Sequence, residues 1–345
     1  PISETQRLGF SLGVTDTKIT SGQYAVQEIS SSPKLTPEIQ YWFYSTLQPD
    51  GTYAAAEVLQ PIDTLPASAL TPINNDGFLD LNGNQFLNWT LTGSWIQSTL
   101  NRGQLATRGA SQSVSLEVAV PLSDLEFYKL NYRGEIYFPL FGEFTLHLRG
   151  ELGYGDGYGE ASELPFYEHF FAGGFGSVRG YEVNTLGPRA TPPSVYSTNT
   201  AVTAVDENGL PTQYGGEDGR GFGYSVDPVT GKIPVQEFYS RPNPFGGNVL
   251  IEGSAEILFP MPFIKDRSSL RSALFLDFGN VFNTNCRENQ VNCFGVDAGE
   301  LRYSVGVGIT WLSGFGPLTF SLAKPLNASP IDEREVFQFT LGRGF

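Results

Sequence analysis

Residues 127–138 read Phe-Tyr-Lys-Leu-Asn-Tyr-Arg-Gly-Glu-Ile-Tyr-Phe, and their alternation limits the fold more than any other feature. Successive side chains of a strand point to opposite faces, so Tyr128, Leu130, Tyr132, Ile136 and Phe138 share one face. Lys129, Asn131, Arg133 and Glu135 take the other. In 143–155, Phe144, Leu146, Leu148, Leu152 and Tyr154 oppose Thr145, His147, Arg149 and Glu151. A helix would scatter this period around its circumference. The pattern predicts ten strands, at roughly 8–19, 86–98, 112–121, 127–138, 143–155, 247–259, 271–282, 301–312, 316–324 and 335–345.

Two architectures can use such strands. A soluble sandwich buries the apolar face between two sheets and wets the polar one. A membrane barrel turns the apolar face to lipid and the polar one to a lumen. Aromatics near strand ends (Tyr128, Phe138, Phe144, Tyr154, Trp95, Trp311) favour lipid, because aromatic girdles mark the bilayer interfaces. Charged residues are only 17% of the 345 residues, with 40 Gly, 26 Phe and 16 Tyr, which suits an all-β chain of many turns. A run of 18 apolar residues, the mark of a membrane helix, does not occur. The expected fold is an all-β transmembrane antiparallel barrel; alternation alone leaves a lipocalin-like barrel or a sandwich open. The first residues lack the features of a signal peptide, so the chain reads as a mature protein or a fragment.

The connections alternate in length. Short ones fall at 99–111, 139–142, 260–270 and 313–315, and longer ones at 20–85, 156–246, 283–300 and 325–334. Only 122–126 breaks the alternation. Barrels of this kind have short periplasmic turns and longer extracellular loops. Segments 20–85 and 156–246 are therefore expected outside, with a short helix opened by Pro37 in the first. Cys286 and Cys293 lie in one polar loop, and their spacing predicts a local disulfide in an oxidising compartment. A net charge of −15 argues against nucleic acid as the main partner.

One cation stands out. Residues 171–181 read Phe-Ala-Gly-Gly-Phe-Gly-Ser-Val-Arg-Gly-Tyr, which sets Arg179 in a glycine-rich loop among apolar neighbours. An unpaired buried charge is heavily penalised, so Arg179 should enter a polar cavity and meet acids. Gly173, Gly174, Gly176 and Gly180 would let the loop turn sharply and approach a wall closely.

The run from Phe171 to Pro188 closely resembles the lumen-inserted loop of the BamA family of outer-membrane protein assembly factors. Ser-Ala-Glu-Ile-Leu-Phe-Pro (254–260), Leu-Phe-Leu-Asp-Phe-Gly-Asn-Val-Phe (274–282) and the final Phe-Gln-Phe-Thr-Leu-Gly-Arg-Gly-Phe are similar to it in the same order. The Arg-Gly-aromatic motif also occurs in translocation-assembly and two-partner-secretion barrels. The resemblance implies that Val178, Arg179, Gly180 and Tyr181 form the lumen-loop motif, with Glu256 and Asp277 as the acidic partners of Arg179. Parity agrees: Ala255, Ile257 and Phe259 oppose Glu256, and Leu274, Leu276 and Phe278 oppose Asp277. Phe337, Phe339, Leu341 and Phe345 resemble the β-signal by which outer-membrane proteins are recognised. The family barrel has sixteen strands behind periplasmic POTRA domains, so residues 1–345 are expected to be its last ten strands.

The implied function is assembly of barrel proteins in the bacterial outer membrane, by strand templating and bilayer perturbation. The implied partners are outer-membrane lipid, nascent barrel proteins and periplasmic assembly lipoproteins. A translocation-assembly or secretion barrel is the alternative, and a passive porin-like channel a further one. No enzyme, cofactor or metal is expected. Both His are isolated in sequence, and no Ser-His-Asp set is evident.

Overall fold

The computed structural model describes residues 2–19, 28–29, 77–190, 243–261, 269–286, 293–314 and 316–342, with short strand pairs within 34–61 and 195–238. Ten strands form one sheet: β1 (Gln6–Lys18), β2 (Gln85–Ser98), β3 (Gly109–Ala119), β4 (Phe127–Pro139), β5 (Thr145–Gly157), β6 (Val249–Pro260), β7 (Leu270–Phe282), β8 (Arg302–Ser313), β9 (Gly316–Pro325) and β10 (Phe337–Leu341). Each pairs antiparallel with its sequence neighbour, an up-and-down meander. Among the described residues, β1 and β10 are the outer strands of this sheet, bonded to β2 and β9 respectively. Strands β1–β9 run 10 to 14 residues, enough to cross a bilayer when tilted.

Burial separates the two architectures. Leu8, Phe10, Leu12 and Val14 of β1, Leu274 and Leu276 of β7, and Val305 and Val307 of β8 are exposed on the outer face. The inner face buries His147, Ser254, Glu256, Asp277, Ser304, Thr310 and Gln338. A sandwich would reverse this. The chain is a transmembrane β-barrel sheet, apolar outside and polar inside.

All ten expected strands are present, with ends shifted by a few residues. β10 starts at Phe337 rather than 335, because Arg334–Glu335 pairs with Gly180–Tyr181 instead of β9. Phe345 lies outside the described residues. The helix expected after Pro37 is not found at Tyr41–Trp42, which pairs as a strand with Gln60–Pro61; a run of consecutive aromatics favours extended backbone. Among the described residues of this segment the helix is α1 (Phe78–Asn82). Its Phe78 stacks edge-on against Phe86 of β2 and Phe166, within a buried cluster on the inner face at the long-loop end.

The segment after β5 fills the lumen. Phe170, Ala172, Val178, Tyr181 and Leu186 pack on Leu250 of β6 and Val281 of β7. At the opposite end the β2–β3 turn tucks inward. Arg271 of β7 donates to the carbonyls of Leu105 and Ala106, at 2.6 and 2.8 Å.

Candidate functional site: an arginine docked inside the barrel

The site is built on one row of inward positions. Register places Tyr137, His147, Glu256, Phe275, Gly306 and Ala323 side by side across β4 to β9. The next row holds Arg149, Ser254, Asp277 and Ser304. Gly306 is required here, since a Cβ would come within 2.4 Å of the Phe275 ring.

Arg179 descends onto these rows and is 1% exposed. Its fork takes Asp277 twice: Nε donates to Oδ2 at 2.7 Å and Nη2 to Oδ1 at 2.7 Å. Nη2 also lies 2.5 Å from Glu256 Oε1 and 3.2 Å from Ser254 Oγ. The Arg179 backbone N–H donates to Asp277 Oδ2 at 3.1 Å, and the Ser254 hydroxyl to Asp277 Oδ1 at 2.6 Å. The guanidinium carbon sits 3.4 Å over the Phe275 ring. Burial alone would lower the Arg179 pKa. Asp277 and Glu256 outweigh it and raise the pKa above its ordinary value, so the cation is fixed. Lysine could not make this bidentate contact.

The glycines divide by role. Gly173, Gly174 and Gly180 have φ of 104°, 94° and 91°, values that favour glycine. A Cβ on Gly180 would press within 3.1 Å of Ala323 Cβ, so its absence sets the approach to β9. Gly176 departs from the expectation: its φ is not positive, and its role is a carbonyl that accepts from Arg149 Nη1 at 3.3 Å. Val178 and Tyr181 are fully buried, and the Tyr181 hydroxyl donates to the Tyr303 carbonyl at 3.3 Å.

Several members of the site escaped the sequence reading. His147 is not isolated: Nδ1 lies 2.9 Å from Glu256 Oε2, Nε2 lies 3.4 Å from Glu135 Oε2, and the ring stacks on Tyr137 at 4.1 Å. The 3.4 Å approach lacks hydrogen-bond geometry, so it counts as an ion-pair contact only. The only signal was the inward parity of His147. Arg149 also donates to the Ser177 carbonyl at 3.1 Å, and the Ser177 hydroxyl donates to Glu252. Farther along, Arg189 pairs with Glu333 at 3.3 Å, and Arg302 with Asp332 at 2.6 Å.

His169 Nδ1 lies 3.1 Å from the Phe245 carbonyl; burial pushes its pKa down to about 4. Beside the loop remains a polar lumen cavity of about 350 Å³, walled by Arg133, Arg149, Glu151 and Glu252. Cys286 and Cys293 form a disulfide with Cα atoms 5.6 Å apart, at the end that carries the long loops. Phe337, Phe339 and Leu341 are exposed on the outer face of β10.

A family model described as the Omp85 superfamily domain matches residues 1–345. The outer membrane protein assembly factor BamA of Neisseria meningitidis serogroup B is 33% identical over 291 residues, covering 79% of this chain and 31% of that protein. BamA of Neorickettsia risticii is 33% identical over 94 residues, covering 27% of this chain and 12% of that protein. The crystal structure of Haemophilus ducreyi BamA lacking POTRA domains 1–3 matches with a TM-score of 0.55 and 28% identity, over 83% of this chain and 48% of that one. The chain spans less than a third of the length of the curated relatives it matches. With the inverted burial and the docked Arg179 motif, these likenesses lead to one statement: the chain belongs to the Omp85 superfamily.

Proposed function

We propose that this chain is the barrel part of an outer-membrane protein assembly factor, folding and inserting other β-barrel proteins. The observation that carries the reading is the Arg179 motif locked onto Glu256 and Asp277 on the inner face of the sheet. The barrel lies in the bacterial outer membrane. An unpaired edge presents a row of N–H and C=O groups on which an incoming strand can pair. Because every backbone polar group must be bonded in lipid, such a template lowers the cost of insertion. The reading also includes local perturbation of the bilayer by the barrel. The loop braces the lumen, and no bond is made or broken.

The partners in this reading are lipid, nascent barrel proteins and periplasmic assembly lipoproteins. Residues 1–345 would be the last ten strands of the family barrel, with 20–85 and 156–246 extracellular. A passive porin fits less well, because the motif loop occupies the lumen. The test is complementation. Cells depleted of their native assembly factor should recover porin levels with the wild-type protein and lose them with Arg179→Ala. Full recovery with Arg179→Ala would overturn the reading, as would a large steady single-channel conductance.

A further inference from the structure

Among the described residues the last strand bonds to β9 in the sheet, and one of its inner side chains reaches the motif loop. Gln338, 4% exposed, donates from Nε2 to the Tyr181 carbonyl at 2.7 Å and to Glu335 Oε2 at 3.0 Å. Tyr181 is two residues beyond Arg179. Just before β10, Arg334 and Glu335 pair antiparallel with Tyr181 and Gly180, and the Glu182 N–H donates to the Glu333 carbonyl at 2.9 Å. The loop is thus the second hydrogen-bonding partner of the chain leading into β10. At its other end the same motif is clamped by Arg179 to β6 and β7.

We infer that residues 179–182 act as a strut across the lumen, and that Gln338 is the positioning residue through which docking of Arg179 keeps the terminal strand in register. The inference does not depend on the proposed function; it concerns how the loop holds the last strand. The physical reason is the imbalance of β10. Phe337, Phe339 and Leu341 face outward, and among the described residues the five residues of the strand pair with β9. An edge strand this short holds its place weakly unless tied elsewhere. The ties are a side-chain donor on β10, a two-residue ladder before it, and Gly180, which lets the strut lie against β9.

Amide hydrogen exchange on the protein in lipid nanodiscs tests this. Gln338→Met keeps the size and removes the donor. It also removes Oε1, which is buried without a hydrogen-bond partner, so overall stability should move little. Exchange across 335–341 should quicken about tenfold, the effect of losing the buried bond to Tyr181 and the weaker one to Glu335, while β6 and β7 stay within about twofold. Arg179→Ala, three strands away, should quicken the same amides, and the double variant should add nothing further. If Gln338→Met gives no folded barrel, Gly180→Ala asks the same question from the loop side, since its Cβ would push the strut off Ala323. The inference is overturned if 335–341 stays within about twofold in either Arg179→Ala or the second variant. An equal rise in β6 and β7 would also overturn it, as that reports global opening.

Discussion

At the scale of single residues, the molecule turns on one buried charge and its neighbours. Arg179 faces two carboxylates, each 1% exposed or less, so removing it leaves Asp277 with the Ser254 hydroxyl and Glu256 with His147 as neighbours but neither with its arginine. Breaking a fully buried pair costs about 3–5 kcal/mol, and the wet cavity nearby reduces that figure. Arg179→Ala should therefore impair barrel-protein assembly far more than Arg133→Ala, whose side chain is 66% exposed. Glu256→Gln and Asp277→Asn should each weaken docking of the loop. Combined with Arg179→Ala, either should cost less than the sum, with a coupling of roughly 0.5–3 kcal/mol. Heat-modifiable gel mobility together with porin levels reads this; strict additivity would mean the three do not act together. His169 gives a pH dependence of definite sign. Its folded pKa is about 4 against an ordinary 6.5, so the unfolded state binds more protons between those values. Its contribution is fully present above pH 6.5 and falls away as pH drops towards 4. Protease protection of 164–190 should decline across that window, and His169→Gln should flatten the decline. An unchanged profile in His169→Gln would assign the pH effect to the carboxylates.

Elements are held by what crosses between them. The β2–β3 turn carries Leu105 at φ 50°, and its carbonyls are fixed by Arg271 of β7, on the far side of β4, β5 and β6. Arg271→Ala leaves those carbonyls without their donor, at roughly 1–3 kcal/mol where burial is kept. Proteolysis within 99–108 from the short-turn side should become faster, and unaltered cleavage would show that the apolar contacts of Ala106 suffice. The long-loop end differs in chemistry. The Cys286–Cys293 bridge sits there, so maleimide should label neither thiol on intact cells until reductant is added. An epitope inserted near Gly215 should be reachable from outside the same cells. If it is reached only after the outer membrane is permeabilised, the proposed topology is inverted.

For the whole molecule, the sheet was legible because a two-residue period survives any tertiary context. Tyr128 to Phe138 must share a face wherever the strand lies, and one net-charged face requires either water or a lumen. The Arg179 loop was legible too, since glycines at Gly173, Gly174 and Gly180 and a lone cation among apolar residues make sense only against an acidic wall. Parity alone turned Glu256 and Asp277 inward. It could not say which inward residues become neighbours, because that is fixed by register between strands. His147 came to Glu256 by cross-strand pairing over 109 positions of chain, and Arg302 to Asp332 by loop packing. The end of β10 was misjudged for the same reason: local alternation continues through Glu335, yet the Gly180–Tyr181 backbone competes for it and wins. The sequence by itself therefore determined the strands, the apolar outside and the cation that must be buried, since each follows from local period and desolvation. The resemblance already named Glu256 and Asp277 as partners of that cation; only the tertiary structure decided that His147 joins them and that the loop is tied to the last strand. Those depend on distances between segments far apart in the chain, which no local pattern encodes.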